Sequence, residues 1–336
     1  MKRVLISGAT GLVGSHLMSE LLGSPAESGS DNRPTYRPVA LARSAGSWQK
    51  LDWLLARRGL EGAAFDRQTA ELEYFDDCRR PMREWQPDVV FHCAARVSVG
   101  AARDGEELVR DNVAMTHNLV TAALELPDEA RPTFVHVSSI AALGTGLGPN
   151  GCVDEGSVME NLAGASAYAR SKFLAENEVW RAAAHGLRVA VVNPAVVLGA
   201  MSPDSGYWLN GLFAAMRRGA NRFWIEGEAP FVSADDVARA LLRLAEQPEA
   251  WGKRYILSAE NLSYRRFLGR IARAVGRAEP TLRFPRWLVR MALPFAPSLA
   301  AVTAPHPRYD GSAILRAVPS FRYTDLADTL NELGQA

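Results

Sequence analysis

A chain of 336 residues, 48% hydrophobic and 22% charged, has the composition of a globular protein with room for a large core. Its net charge of +1 supplies no electrostatic drive toward nucleic acid or an anionic membrane. Three cysteines without a Cys-x-x-Cys pair and six scattered histidines speak against a disulfide framework and a metal site, and suit a reducing, cytoplasmic setting.

The first apolar run, residues 2–7, is short, contains β-branched residues and passes straight into glycines. It predicts a buried parallel strand and no signal peptide. A helical pattern follows over 12–22, then a Gly/Ser/Pro/Asp-rich surface loop to residue 38. A second strand is expected at 39–42, a helix at 48–58, and a weak third strand at 72–75. Residues 88–92 give a clearer fourth strand, 106–126 a long helix, and 133–138 a fifth strand. A glycine-rich loop over 144–151 leads to a helix that starts near Tyr168 and runs to about His185. The sixth strand, 188–193, stops at Pro194.

Alternating buried strands and helices predict an α/β fold, a Rossmann-type doubly wound parallel sheet. After Pro194 the rhythm changes, with helices at 213–218 and 233–246 and a strand at 253–257. The expected division is a cofactor-binding domain over 1–195, rejoined by 233–258. A smaller, mostly helical substrate lobe is expected over 196–232 and 259–336. The apolar stretch 287–302 holds Arg290, Pro294 and Pro297 and falls short of the roughly 20 residues that a membrane span needs.

Strand, turn and helix meet at Gly8-Ala9-Thr10-Gly11-Leu12-Val13-Gly14. Glycines at 8, 11 and 14 let the backbone turn tightly and approach a pyrophosphate at the helix N-terminus. Thr10, Leu12 and Val13 belong to the same cofactor-binding turn. At the end of the second strand, where NAD enzymes carry an acid for the ribose hydroxyls, this chain has Arg43-Ser44. A guanidinium and a hydroxyl suit a 2′-phosphate, so NADP is expected, with NAD as the alternative.

Tyr168 and Lys172 lie four residues apart, one turn of helix. A phenol titrates near 10 and a neighbouring cation lowers that value. Acting near neutrality requires a shift of about three units, or ~4 kcal/mol. The chain has four lysines, so one of them falling in this pair is not readily a coincidence.

These motifs, together with Phe91-His92-Cys93-Ala94-Ala95, Asp111-Asn112-Val113, Ser138-Ser139 and Asn193-Pro194, occur in the order of the extended short-chain dehydrogenases/reductases. The chain resembles that family over nearly its whole length. Residues 135–144 and 255–264 look especially like its dihydroflavonol-reductase-like branch, within the epimerase/dehydratase superfamily. The resemblance implies that Tyr168 is the general acid and that Lys172 lowers its pKa and binds the nicotinamide ribose. Ser139 would hydrogen-bond the substrate carbonyl, with Ser138 the second candidate. Ala94 and Ala95 would pass close to the cofactor, Asn112 would brace the site, and Asn193 and Pro194 would shape the nicotinamide pocket. Asp76 would accept from the adenine amine, although the family's Gly-Asp reads Phe75-Asp76 here. A homodimer through helices 106–126 and 166–185 is a further family expectation.

Two departures bear on activity. Met115 replaces a family glycine. Ile140-Ala141-Ala142 replaces the acidic pair that dehydratases carry after the serine, which argues against dehydration. The leading expectation is an NADP-dependent carbonyl reductase or alcohol dehydrogenase, with Trp208, Phe213, Phe223, Trp224 and Phe231 lining an apolar substrate pocket. A nucleotide-sugar epimerase gripping diphosphate with Arg217, Arg218 and Arg222 is the second reading. A cofactor-sensing binding protein is the third, disfavoured because Tyr168 and Lys172 are both present.

Overall fold

The computed structural model describes residues 1–23, 36–97, 105–285 and 307–335. Most of the surface loop after residue 23 and the apolar stretch 287–302 lie outside the described residues. The strands are β1 (Lys2–Ser7), β2 (Tyr36–Ala42), β3 (Asp66–Thr69), β4 (Val89–His92), β5 (Thr133–Val137), β6 (Arg188–Pro194), β7 (Val196–Leu198), β8 (Phe223–Trp224), β9 (Glu228–Ser233), β10 (Lys253–Leu257), β11 (Glu260–Ser263) and β12 (Leu282–Arg283). The helices are α1 (Leu12–Gly23), α2 (Trp48–Arg57), α3 (Phe75–Trp85), α4 (Gly105–Leu124), α5 (Ala167–Ala184), α6 (Trp208–Arg217), α7 (Ala234–Glu246), α8 (Tyr264–Ala274), α9 (Ala313–Ala317) and α10 (Leu326–Gly334).

Seven strands form one parallel sheet in the order β10-β6-β5-β4-β1-β2-β3. The central strands are apolar on both faces because both are covered. Val4, Ile6, Phe91, Val135 and Val192 pack with residues of α1 and α7 on one side. Leu5, Val90, Phe134 and Val191 pack with residues of α3, α4 and α5 on the other. The strand order reverses between β1 and β4, which opens a crevice at their C-terminal ends.

The third strand corrects the sequence reading. It lies at Asp66–Thr69, where Val39 to Ala42 of β2 pair with it, and not at 72–75. As the sheet edge it supplies mainly backbone hydrogen bonds, so a polar stretch suffices. The apolar Leu72 is instead buried in the following turn, and Phe75 opens α3. The second strand begins at Tyr36, three residues earlier than periodicity suggested. Pro38 fits there because β3 joins β2 only from Val39 onward, so β2 has a partner on one side alone.

After Pro194 the chain forms a smaller lobe around Leu209, Phe213, Phe231, Phe267 and Leu330. Besides α6, α8 and α10 it holds a three-stranded sheet, β11-β9-β7, and a two-stranded one, β12-β8. Helix α7 returns to the main sheet, where β10 pairs with β6 from Lys253↔Ala190 to Leu257↔Pro194. No helix among the described residues is long and apolar enough to cross a membrane.

Candidate active site

The crevice between β1 and β4 is a cleft of about 420 Å³. Gly8, Thr10 and Gly11 line it on one side and Cys93, Ala94 and Ala95 on the other. Gly8 has φ +67°, and a Cβ there would sit 2.6 Å from the Ala94 nitrogen. A Cβ on Gly14 would lie 2.2 Å from the Gly8 carbonyl oxygen. Both positions therefore need glycine, one for backbone conformation and proximity, the other for helix-to-turn packing. Leu12 and Val13 open α1, whose first-turn N–H groups have no partner within the helix and favour an anion.

Past β2 the cleft is lined by Arg43, Ser44, Ser47 and Lys50. The Ser44 and Ser47 hydroxyls are 3.1 Å apart. Lys50, in the first turn of α2, adds a second cation to the one expected from sequence. No acid from the end of β2 faces this corner. Ala70, Leu72, Glu73 and Met115 complete the adenine end. Asp76 is not among the lining residues; it is exposed in the first turn of α3. The close backbone approach and the helix N-terminus together fit a dinucleotide.

Beneath the cleft a buried hydrogen-bond chain links three elements. The Ala94 N–H donates to Ser7 Oγ at 3.4 Å, and the Ser7 hydroxyl meets His92 Nδ1 at 2.7 Å. His92 Nε2 meets Thr116 Oγ1 at 3.0 Å, and that hydroxyl donates to the Asn112 carbonyl at 3.0 Å. Every group is satisfied if His92 is neutral with its proton on Nε2. Burial, aided by the Lys172 charge, pushes its pKa down to about 3, in agreement. Asn112 braces the wall as expected. Its Oδ1 accepts from Arg96 N at 2.7 Å, and its Nδ2 donates to the Arg96 carbonyl and to Ser171 Oγ at 2.9 Å.

Ser166 caps α5 by accepting from Ala169 N, which places Tyr168 in the first turn. Ser139 lies near enough to the Tyr168 phenol to favour its ionised form. Ser138 Oγ is buried without a hydrogen-bond partner. Lys172 is buried, and its Nζ donates to the Val137 carbonyl at 2.9 Å. Burial draws its pKa down to about 8, opposed by Cys93 and Glu176. Tyr168 differs from the expectation of a lowered phenol. Burial raises its pKa, and Ser139 opposes this only in part.

Asn193 is fully buried, with its Nδ2 donating to the Ser139 carbonyl at 3.0 Å and to Glu176 Oε2 at 2.9 Å. It thus supports Ser139 from behind. Pro194 ends β6, paired with Leu257. Of the five aromatic residues proposed for a substrate pocket, Phe213 lines an apolar cavity of about 400 Å³ with Trp53, Met201, Leu209 and Leu333. Phe231 stacks on Phe267 in the lobe core, and Trp208 and Phe223 are each 48% exposed. Arg217, Arg218 and Arg222 are all exposed.

The pattern of the NAD dependent epimerase/dehydratase family matches residues 4–257. A protein of Synechocystis sp. named "Putative dihydroflavonol 4-reductase" is 28% identical over 98% of this chain and 88% of its own length. "Tetraketide alpha-pyrone reductase 1" of Arabidopsis thaliana is 25% identical over 78% of this chain and 77% of its own. Among solved structures, the Bordetella bronchiseptica enzyme WbmH in complex with NAD+ superposes with a TM-score of 0.72 at 20% identity. That match covers 98% of this chain and 96% of the other.

Proposed function

The chain belongs to the NAD dependent epimerase/dehydratase family, and from that premise we propose that it is an NADP(H)-dependent carbonyl reductase. The observation that carries this reading is Tyr168 beside Ser139 and one helical turn from Lys172, in a fold whose glycine-turn cleft is lined by Arg43 and Lys50 with no acid from the end of β2. The bound nicotinamide supplies hydride. Ser139 holds the substrate carbonyl oxygen, and Tyr168 gives it a proton as the carbon is reduced. Burial keeps the phenol protonated, which is the form that carbonyl reduction consumes. Lys172 places a positive charge beside the alkoxide-forming step and is the natural partner of the nicotinamide ribose. The homodimer through α4 and α5 belongs to the same proposal.

The epimerase reading is weaker, because of the three arginines proposed to grip a diphosphate only Arg217 lines the cavity beside Phe213. A panel of ketones and aldehydes, followed by NADPH and NADH absorbance in parallel, tests the proposal. NADPH consumption supports it. A strong NADH preference would overturn the role of Arg43 and Lys50. Tightly retained cofactor with no net turnover would point to the epimerase.

A further inference from the structure

Behind the proposed catalytic residues lies a buried ionic group that the reductase reading leaves unused. Glu176 sits one turn beyond Lys172 on α5 and is 2% exposed. Its Oε1 faces Arg254 Nη2 at 2.7 Å and accepts from Trp180 Nε1 at 3.1 Å. Its Oε2 accepts from Asn193 Nδ2 at 2.9 Å. The other hydrogen of that amide goes to the Ser139 carbonyl at 3.0 Å. Arg254 comes from β10, lies 5.8 Å from the Trp180 ring, and donates to the Ser157 carbonyl at 3.4 Å. A single carboxylate therefore joins α5, β6 and β10 to the backbone of the serine that faces Tyr168.

Leaving a carboxylate this deep is costly without compensation. Two hydrogen-bond donors, Trp180 and Asn193, and the Arg254 guanidinium supply it here. The chain order matters: Arg254 fixes Glu176, Glu176 fixes the Asn193 amide, and that amide fixes the Ser139 carbonyl. Ser139 itself is extended (φ −164°, ψ 155°), and its hydroxyl accepts from Ala141 N at 3.2 Å, so displacing its carbonyl would swing the hydroxyl away from Tyr168. The same carboxylate is the negative charge on α5 nearest the Lys172 ammonium. The other groups facing that ammonium are Cys93, His92 on β4 and His136 on β5, and both histidines are held neutral by burial.

We infer that Glu176, Asn193 and Arg254 are positioning residues for the Ser139–Tyr168–Lys172 site. Together they lock the Ser139 carbonyl in place and hold a compensating charge one turn from Lys172. The catalytic half of this inference rests on the reductase reading; the electrostatic half does not.

The test uses the full-length protein carrying Glu176→Gln, Arg254→Met and Arg254→Lys. Glu176→Gln keeps shape and removes charge, and Arg254 is near enough to the surface to reach water. Its kcat falls at least about tenfold while KM for the cofactor stays within about twofold, as a misplaced catalytic group demands. Arg254→Met behaves alike, and Arg254→Lys recovers most of the loss. In NMR titrations with 13C-labelled lysine, four lysines give a readable spectrum, and the Lys172 midpoint moves to lower pH in Glu176→Gln. Wild-type kcat and an unmoved Lys172 midpoint in Glu176→Gln would overturn the inference. So would a loss of kcat that tracks Tm alone with the midpoint unmoved, since that marks a merely structural ion pair. If the wild-type protein turns over no nicotinamide cofactor, the reductase reading fails, and the lysine titration still decides this one.

Discussion

Lys172 gives its ammonium to the Val137 carbonyl, 2.9 Å away at the end of β5. Burial there draws its pKa down to about 8, against the opposing pull of Cys93 and Glu176. The side chain is therefore charged below about pH 8 and loses its charge above it. Reductase activity is expected to fall as pH rises through that value. In Lys172→Met the residual activity should show no such limb, which a kcat/KM profile against pH would reveal.

Ser139 and Ser138 differ in surroundings: Ser139 lies near the Tyr168 phenol, and the Ser138 hydroxyl has no partner. Removing the phenol hydroxyl in Tyr168→Phe should lower kcat by about 10² to 10⁴. Ser139→Ala removes one donor to the developing oxyanion and should cost about a hundredfold. Ser138→Ala should leave kcat within a few-fold, because its hydroxyl contacts no polar partner. Steady-state kinetics on the three variants would rank them.

Arg43 and Lys50 flank one corner of the cleft. Each charge-assisted bond to a 2′-phosphate is worth about 1.5–3 kcal/mol. Arg43→Ala and Lys50→Ala should each weaken NADPH binding by about ten- to a hundredfold and leave NADH binding nearly unchanged. Fluorescence titrations with both cofactors give the comparison directly.

Gly14 has no room for a methyl group, since a Cβ would lie 2.2 Å from the Gly8 oxygen and 2.9 Å from the Ala9 Cα. Both obstacles are backbone, so the turn itself must move. Gly14→Ala should lose about 1–3 kcal/mol of stability, as overpacked positions do. Cofactor affinity should fall with it. Urea unfolding and cofactor titration on one preparation would show both losses.

His92 stays neutral in the fold down to about pH 3, whereas an unfolded histidine titrates near 6.5. Between those values the unfolded chain binds more protons than the folded one. Stability therefore falls as pH drops through that window, by about 1.4 kcal/mol per unit for this group. His92→Gln should show a shallower loss of unfolding free energy than wild type when urea melts near pH 7 and pH 5 are compared.

The glycine turn, the tyrosine–lysine pair and Ser139 were legible in the sequence because each needs particular residue types at fixed local spacing. The third strand was not, because Asp66 to Thr69 form an edge whose role is backbone pairing, which leaves no apolar signature. Lys50 escaped notice because its approach to Arg43 depends on how α2 leaves β2. Arg254 was invisible for a stronger reason: it reaches Glu176 across 78 residues of chain, by way of a strand that returns to the sheet from beyond α6, β9 and α7.

The lobe is joined to the sheet by very little chain. Pro194 of β6 and Val196 of β7 are separated by Ala195 alone, Ser233 of β9 is followed at once by α7, and Leu257 of β10 is two residues from β11. Ala195 N donates to the Leu257 carbonyl at 2.9 Å and Ala259 N to the Phe231 carbonyl at 2.9 Å, stitching these crossings to one another. Such joints have no slack to serve as a hinge. For a lobe that binds substrate, such crossings favour selection by a shape fixed at folding over closure upon binding. A transplant of the lobe between relatives must match these three seams and also the passage from Phe321, packed on the main sheet, to Leu326 in the lobe core.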